Sequence, residues 1–540
     1  VPRSTSVSLR ASVPLAVAIA LAVAFRWPAL VHPAETNSDA AIVGLQAMHL
    51  LRGEWSWFLW GSGYQTSVDS AFVALSFGVL GPTPRALVVA SLGLHLVLLA
   101  LTGSVLARRT TPTIAALAVF PLVVTTSPLQ TYILYPPRQA SLTVAVAALW
   151  ALDRAADART VRAFATGGAL LGLACFADPY ALVLVPPIAA FGIACAIDSK
   201  GESAGVLSAR RPIDRARARE SLLRVAGLAL GGAAGTLPIL LLRSSARATA
   251  GQLALGAGAI ARNGRLLVES CLPWTIGAQA WMDGGARGYV PWDGTPPLRA
   301  LVFAGGSFFL LAVAAGGALP FVAPFRRWRS LEWETRRLAI AGGLALPVTI
   351  GGFLASPMVM DLFSARYLAA ITVLSPFALA PLAQLLPARW FAIAIVPSAA
   401  AAAIVGWVGY GPFLRAAPDD PSDEARLEAA LAERGVRVAR ADYWAAYRLT
   451  FLTQERLIVV PTNAAEDRYP PYRARFERES LVAYVFDPER SRERVPAPTQ
   501  AGERAGEAEG VETIRAGRFT ATLLKRAGPL ATDLAPCLVP

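Results

Sequence analysis

Charge is what this sequence has least of. Of 540 residues only 16% are Asp, Glu, Lys or Arg, while 55% are hydrophobic. A water-soluble domain carries about 25% charged residues. The shortage excludes a single soluble globule, because residues 11–410 run as long apolar stretches split by short polar loops and no one core could absorb them. Histidine and cysteine are also scarce, at three and four residues. Neither a CxxC pair nor an HExxH pattern occurs, which removes the usual sequence frames for zinc. Cys175 and Cys195 lie in apolar segments and read as inert small hydrophobes. Internal repeats and low-complexity tracts are absent.

The net charge is +13, yet no groove-reading motif accompanies it, so nucleic acid is not an expected partner. The excess sits in Arg clusters between apolar segments, at 108–109, 154–162, 210–224 and 326–337. That distribution follows the positive-inside rule. Arg3 and Arg10 precede a first apolar run that ends in Phe25-Arg26-Trp27-Pro28 without a small-residue cleavage site. It reads as an uncleaved span over Ser12–Trp27. Further spans are expected at Arg85–Leu106, Pro112–Thr126, Gln139–Leu152, Phe164–Phe176, Leu182–Ile197, Val225–Leu242, Ala300–Phe325, Leu338–Ser356, Leu368–Leu386 and Phe391–Tyr410. The expected fold is an all-α polytopic membrane domain of about eleven spans over residues 1–415. A small α/β soluble domain over residues 416–540 follows the Pro-rich stretch Ala417–Pro421. Every Arg cluster then falls inside, and the C-terminal domain lies outside. Cys271 and Cys537 share that outer side, where an oxidising compartment would let them pair.

The first outer loop, 28–83, holds two helical segments. Ile42, Leu45 and Met48 recur at helical spacing, with Asn37 or Ser38 as cap and Gly53 as stop. Ser67–Leu80 is apolar but short for a crossing, and Pro82 and Pro84 close it. Both suit amphipathic helices lying at the membrane surface. In the tail, helices are expected at Asp423–Arg434 and Tyr443–Thr453. Strands are expected at Val436–Ala439, Arg456–Val460 and Leu481–Phe486, with a hairpin of Val511–Ile514 and Phe519–Leu524.

Asp39 and Asp69 stand at the starts of the two loop helices. Helix dipoles favour acids there, so capping is one reading of each. A carboxylate held at a membrane face is otherwise costly without work or a cationic partner. Arg138 and Arg366 begin spans on the same side, and Arg holds phosphate through a bidentate fork. A carboxylate that deprotonates a hydroxyl, beside Arg that steadies a departing lipid phosphate, suits glycosyl transfer. His95 lies within a span and reads as packed or hydrogen-bonded there. His49 reads either as a ligand or as a solvent-facing residue. Asp178 either caps a span end or lines a cavity. Trp281 with Asp283, and Trp292 with Asp293, suit sugar stacking or interfacial anchoring.

Asn37-Ser38-Asp39-Ala40-Ala41-Ile-Val-Gly44-Leu, then Gly61 to Asp69, then Arg366-Tyr367-Leu368 before a late span resemble the GT-C superfamily of membrane glycosyltransferases. The likeness is to the bacterial protein O-mannosyltransferase and aminoarabinose transferase groups. The tail segment Ala441-Asp442-Tyr443-Trp444-Ala-Ala-Tyr447-Arg448 also looks like that of bacterial members. Many relatives have Asp-Glu where this chain has Asp39-Ala40. The resemblance implies a transferase, hexosyl or pentosyl and inverting, in the bacterial inner membrane. It would move sugar from a polyprenyl-phosphate donor to a glycan, lipid or protein acceptor at the outer face. Asp39 would be the general base and Asp69 a second catalytic acid. Arg138, Arg366, Tyr64, His49, Asp178, Trp281 and Asp283 would be substrate-binding. No cofactor is certain, and a divalent metal held by two carboxylates stays open. A transporter and another envelope-polysaccharide polymerase or ligase stay open as alternatives. Reporter fusions after Leu207 and after Arg415 should give opposite signals, and the same signal at both would sink this topology.

Overall fold

The computed structural model describes residues 9–31, 36–126, 130, 133–197, 215–242, 255–275, 296–322, 331, 333–408, 422–488 and 508–526. Cys537 lies outside them, and with it the expected pairing to Cys271, whose thiol is free and buried. Along the chain run helices α1 (Leu9–Phe25), α2 (Ser38–Leu51), α3 (Val68–Leu80), α4 (Pro84–Arg109), α5 (Pro112–Ala118), α6 (Phe120–Val123), α7 (Gln139–Ala158) and α8 (Val161–Ala177). They continue with α9 (Val185–Ile197), α10 (Arg215–Leu242), α11 (Ala257–Leu266), α12 (Pro296–Ala318), α13 (Trp333–Ala355), α14 (Ala369–Leu385) and α15 (Ala388–Val408). The C-terminal part adds α16 (Asp423–Ala432), β1 (Val438–Ala441), α17 (Tyr443–Leu452), β2 (Ile458–Pro461), α18 (Pro470–Arg478), β3 (Leu481–Phe486), β4 (Ala508–Ala516) and β5 (Phe519–Arg526). The chain divides into two compact units. One holds Val1–Val31, Ser91–Ser245 and Thr249–Leu414, and the other His32–Ala90, Ala246–Ala248 and Arg415–Pro540.

In the first unit α14 is the centre, with nearly every side chain buried against other helices. Helices further out turn apolar residues outward, among them Leu230, Leu240 and Leu241 on α10 and Phe303, Phe308 and Leu311 on α12. Such a surface fits lipid and not water. Among the described residues, six helices are long and apolar enough to cross a membrane. Helices α8 and α10 pack backbone to backbone. A Cβ added at Gly168 or Gly172 would fall on the facing carbonyl of Leu228 or Gly232, the small-residue contact that membrane helices favour.

The expected span Pro112–Thr126 is broken into α5 and α6 near Pro121, because proline cannot supply the amide that a continuous helix needs. The carbonyls at the C-terminal end of α6 do not stay orphaned. The Arg26 guanidinium, fully buried, donates to the oxygens of Val123 at 2.9 Å and Leu122 at 3.2 Å. His95 Nε2 reaches the Leu122 oxygen at 2.7 Å, as expected of a hydrogen-bonded histidine within a span. Arg109 at the end of α4 donates to Asp153 of α7 at 2.7 Å and to Glu334 of α13 at 2.6 Å. These charges gather three helix ends that the sequence reading assigns to one side.

The second unit carries a five-stranded sheet in the order β2-β1-β3-β5-β4. Strand β1 pairs parallel with β2 and β3, and β5 pairs antiparallel with β3 and β4. Strand β1 begins two residues later than the expected Val436. Helix α18 was not expected at all. It is polar, with Pro470 and Pro471 in its first turn and only Tyr472 and Phe476 buried.

Helix α2 differs from a one-sided surface helix. From Ala40 to His49 every residue is buried. Helix α3 packs on it and still turns Leu75 and Val79 outward. Helix α17 packs on α2 so closely that a Cβ added at Gly44 would stand 2.7 Å from the Phe451 ring. Phe451 in turn stacks on Phe77 of α3 with centroids 6.0 Å apart. Gly44→Ala should therefore destabilise this unit by about 1–3 kcal/mol through overpacking. Thermal unfolding of the detergent-solubilised protein would check it, and an unchanged transition would show that Phe451 gives way freely.

Candidate active site

The start of α2 is organised residue by residue. Asn37 takes the extended cap conformation, and its Oδ1 accepts from the Ala40 amide at 2.9 Å. That cap starts the helix two residues before Asp39, so the carboxylate sits in the first turn, where the helix dipole stabilises negative charge. Ser38 Oγ donates to the Tyr443 carbonyl oxygen at 2.6 Å. The Tyr443 hydroxyl donates to Asp39 Oδ1, also at 2.6 Å. Tyr443 opens α17, whose cap Asp442 accepts from the Trp444 amide at 2.9 Å. The first turns of α2 and α17 thus meet at Asp39.

Arg468 joins them. Its Nη1 donates to the Gly61 oxygen at 2.8 Å, and its guanidinium lies 5.5 Å from the centre of the Tyr443 ring. Gly61 has φ 65°, a left-handed turn that glycine adopts at little cost. Burial works against the Arg468 charge, but Tyr443, Asp39 and Tyr64 outweigh it and strengthen its basicity. Burial first, and then the Asp39 charge, push the Tyr443 hydroxyl well above its usual range. Tyr443 therefore remains a proton donor at any physiological pH. Asp39 and Tyr64 both act electrostatically on that guanidinium. Asp69 is buried in the first turn of α3, next to Ser70, which donates to Gln46 at 2.8 Å.

His49 has a carboxylate at each ring nitrogen. Nδ1 meets Glu54 at 2.5 Å and Nε2 meets Glu455 at 2.7 Å. Tyr472 donates to Glu455 at 2.6 Å, Arg52 pairs with its other oxygen at 2.6 Å, and Tyr469 stacks on Trp60 with centroids 3.9 Å apart. Burial would lower His49, but Glu455 and Glu54 outweigh it and raise it above 6.5. Burial would raise Glu455, but His49, Tyr472 and Arg52 hold it at about 2.

A second cluster lies in the helical unit. Arg138 is buried, at φ 101°, a conformation that bulky residues occupy only when their surroundings impose it. Its Nε donates to Asp178 Oδ2 at 2.9 Å. Asp178 also caps the following turn, accepting from the Tyr180 amide at 2.8 Å. The Arg138 guanidinium lies 5.3 Å from the Tyr180 ring and 5.1 Å from the Tyr367 ring. Arg366 lies 5.3 Å from the same Tyr367 ring. Both arginines singled out from sequence therefore pack on one tyrosine. Trp281, Asp283, Trp292 and Asp293 lie outside the described residues. Among the described residues, no group of three or more His, Cys, Asp or Glu is placed to hold a metal ion.

ArnT from Cupriavidus metallidurans, solved bound to undecaprenyl phosphate, is similar in fold with TM-score 0.52 and 12% identity, over 95% of this chain and 98% of that one. The fold is GT-C-like. The apo ArnT structure from the same organism gives TM-score 0.44 at 12% identity, over 95% of this chain and 97% of that one. The Archaeoglobus fulgidus oligosaccharyltransferase tethered to an acceptor peptide gives 0.44 at 12% identity, over 88% of this chain and 69% of that one. No protein-family model matches the sequence, and no curated protein matches it. The GT-C-like chain is an integral membrane protein with a small C-terminal sheet domain.

Two residues at the candidate site escaped the sequence reading. Tyr443 stood in the quoted tail motif without a role, and Arg468 carried no signal. The His49 cluster yields a pH prediction. His49 is raised, so its contribution is full below about 6.5 and is lost as pH rises through the raised value. Glu455 is lowered, so its contribution is present above about 4.5 and is lost as pH falls through about 2. The unit should therefore be most stable near pH 4.5–6.5 as far as this pair decides it. His49→Gln should cost about 1.5–3 kcal/mol there and flatten the alkaline decline. A stability-against-pH curve that superimposes on that of the unaltered protein would refute the assignment.

Proposed function

We propose that this protein is an inverting glycosyltransferase that moves a hexosyl or pentosyl group from a polyprenyl-phosphate donor to an acceptor hydroxyl. The reading places the reaction at the outer face of a bacterial inner membrane, with the C-terminal domain extracytoplasmic over residues 416–540 and the transferase domain over 1–415. The observation that carries it is Asp39, half-buried at a helix start and hydrogen-bonded by Tyr443. A carboxylate oriented in this way suits a general base.

Asp39 takes the proton of the acceptor hydroxyl. The acceptor oxygen bonds to the anomeric carbon from the face opposite the phosphate, and the sugar–phosphate bond breaks with its electron pair leaving on the lipid phosphate. Arg138 and Arg366 steady that phosphate, since guanidinium donors match its oxygens and need no proton exchange. Asp178 holds Arg138 in place. Tyr64 and Asp69 take part on the Asp39 side, as acceptor contact and second carboxylate. His49, Trp281 and Asp283 complete the assigned substrate-binding set. The similar fold of ArnT, solved with undecaprenyl phosphate, supports a donor lipid of that class.

Asp39→Asn keeps the shape and leaves the Asn37 cap in place but removes the base, so transfer should fall by roughly 10²–10⁴-fold. The assay is membranes with radiolabelled undecaprenyl-phosphate hexose and pentose. Normal turnover would overturn the mechanism. Undecaprenyl phosphate alone should raise the melting temperature of the unaltered protein, and less so in Arg366→Lys, which loses the fork. Equal stabilisation in Arg138→Ala and Arg366→Ala would remove the phosphate role.

A further inference from the structure

A general base must do more than be ionised. Its accepting oxygen must point along the path of the departing proton, and a carboxylate on a short side chain turns easily about its last bond. Something must therefore fix Asp39, and the geometry points to Tyr443. We propose that Tyr443 is a positioning residue for Asp39: its hydroxyl holds Oδ1, so that Oδ2 presents to the acceptor hydroxyl. This inference rests on the reading of Asp39 as the base.

Three observations support it. Tyr443 is held at both ends, its carbonyl by Ser38 Oγ at 2.6 Å and its hydroxyl by Asp39 Oδ1 at 2.6 Å. Two successive residues of α2 thus grip one residue of α17. The ring is fixed from the side, by the Arg468 guanidinium at 5.5 Å and by Trp444 and Tyr447, with centroids at 5.2 and 5.9 Å. Arg468 is itself tethered to the Gly61 oxygen at 2.8 Å, on the turn that carries Tyr64. Finally, the hydroxyl keeps its proton beside a carboxylate, so the bond stays a donation from Tyr443 to Asp39. The reaction proton moves from the acceptor oxygen to Asp39 Oδ2, and Tyr443 neither gives nor receives one. Tyr443 therefore touches no reacting atom and acts through Asp39.

The deciding variant is Tyr443→Phe, which deletes one oxygen and keeps the ring and the Ser38 bond to the backbone. Loss of a hydrogen bond to a charged group should lower kcat by about 10- to 100-fold, with donor KM little changed. The probes are radiolabelled undecaprenyl-phosphate hexose and pentose in membranes holding the full chain. The carboxylate stretch of Asp39, isolated as an infrared difference between each protein and its Asp39→Asn counterpart, should move in Tyr443→Phe without any substrate present. A loss of transfer in Asp39→Asn together with wild-type kcat in Tyr443→Phe would overturn this inference alone. An unmoved infrared band would do the same. Normal turnover in Asp39→Asn would instead overturn the base assignment on which it stands.

Discussion

The second unit depends on one close approach, that of α2 and α17 at Gly44. Without a side chain at that position, the Phe451 ring comes within ordinary contact of the α2 backbone. The first turns of the two helices are then near enough for a seryl hydroxyl and a carboxylate to reach a single tyrosine. The same closeness fixes how α3 lies, since Phe77 stacks on the other side of Phe451. Burying α2 on all faces would be costly for Gln46 and His49 if they lacked partners. Both have them. Gln46 donates to the Phe58 oxygen at 2.9 Å, and His49 lies between two carboxylates. Tight packing and polar satisfaction are thus one requirement here.

The helical unit solves a similar problem in an apolar setting. A backbone carbonyl without a partner is tolerated in water but not in hydrocarbon. The end of α6 exposes such carbonyls, and Arg26 has enough donors in one plane to serve more than one of them. A long cation in an otherwise apolar bundle then acts as part of the backbone hydrogen-bond network. The buried Arg138 uses its charge differently, with a carboxylate on one side and aromatic faces on two others.

The long apolar helices were legible because length and composition alone mark them. The helices beginning near Asp39 and Asp69 were legible from their caps and spacing. The shift of β1 reflects how little a four-residue strand distinguishes itself from its flanks. Helix α18 was invisible because its apolar signal is Tyr472 and Phe476, among Ala474 and six polar or proline neighbours. At the candidate site, Asp39, Arg138, Asp178 and Arg366 could be singled out as chemical types in exposed-looking positions. Their pairings could not. Asp178 and Arg138 stand 40 residues apart, and Tyr443 and Asp39 stand 404 apart. No local pattern encodes a contact of that separation. Arg468 lies between short elements of the tail and is one of many arginines.

That separation of 404 residues also sets a clock. Ribosomes add about 5–20 residues each second, so roughly 20–80 s pass between synthesis of Asp39 and of Tyr443. Throughout that interval α2 has its buried-type surface finished and its cover unmade. The nascent chain must keep Gly44, Gln46 and His49 from other partners while the intervening helices are made. Completion of this unit therefore waits on the synthesis of α17. A ribosome that stops short of Tyr443 leaves an exposed α2, a surface that quality-control proteases and chaperones recognise by its apolar character.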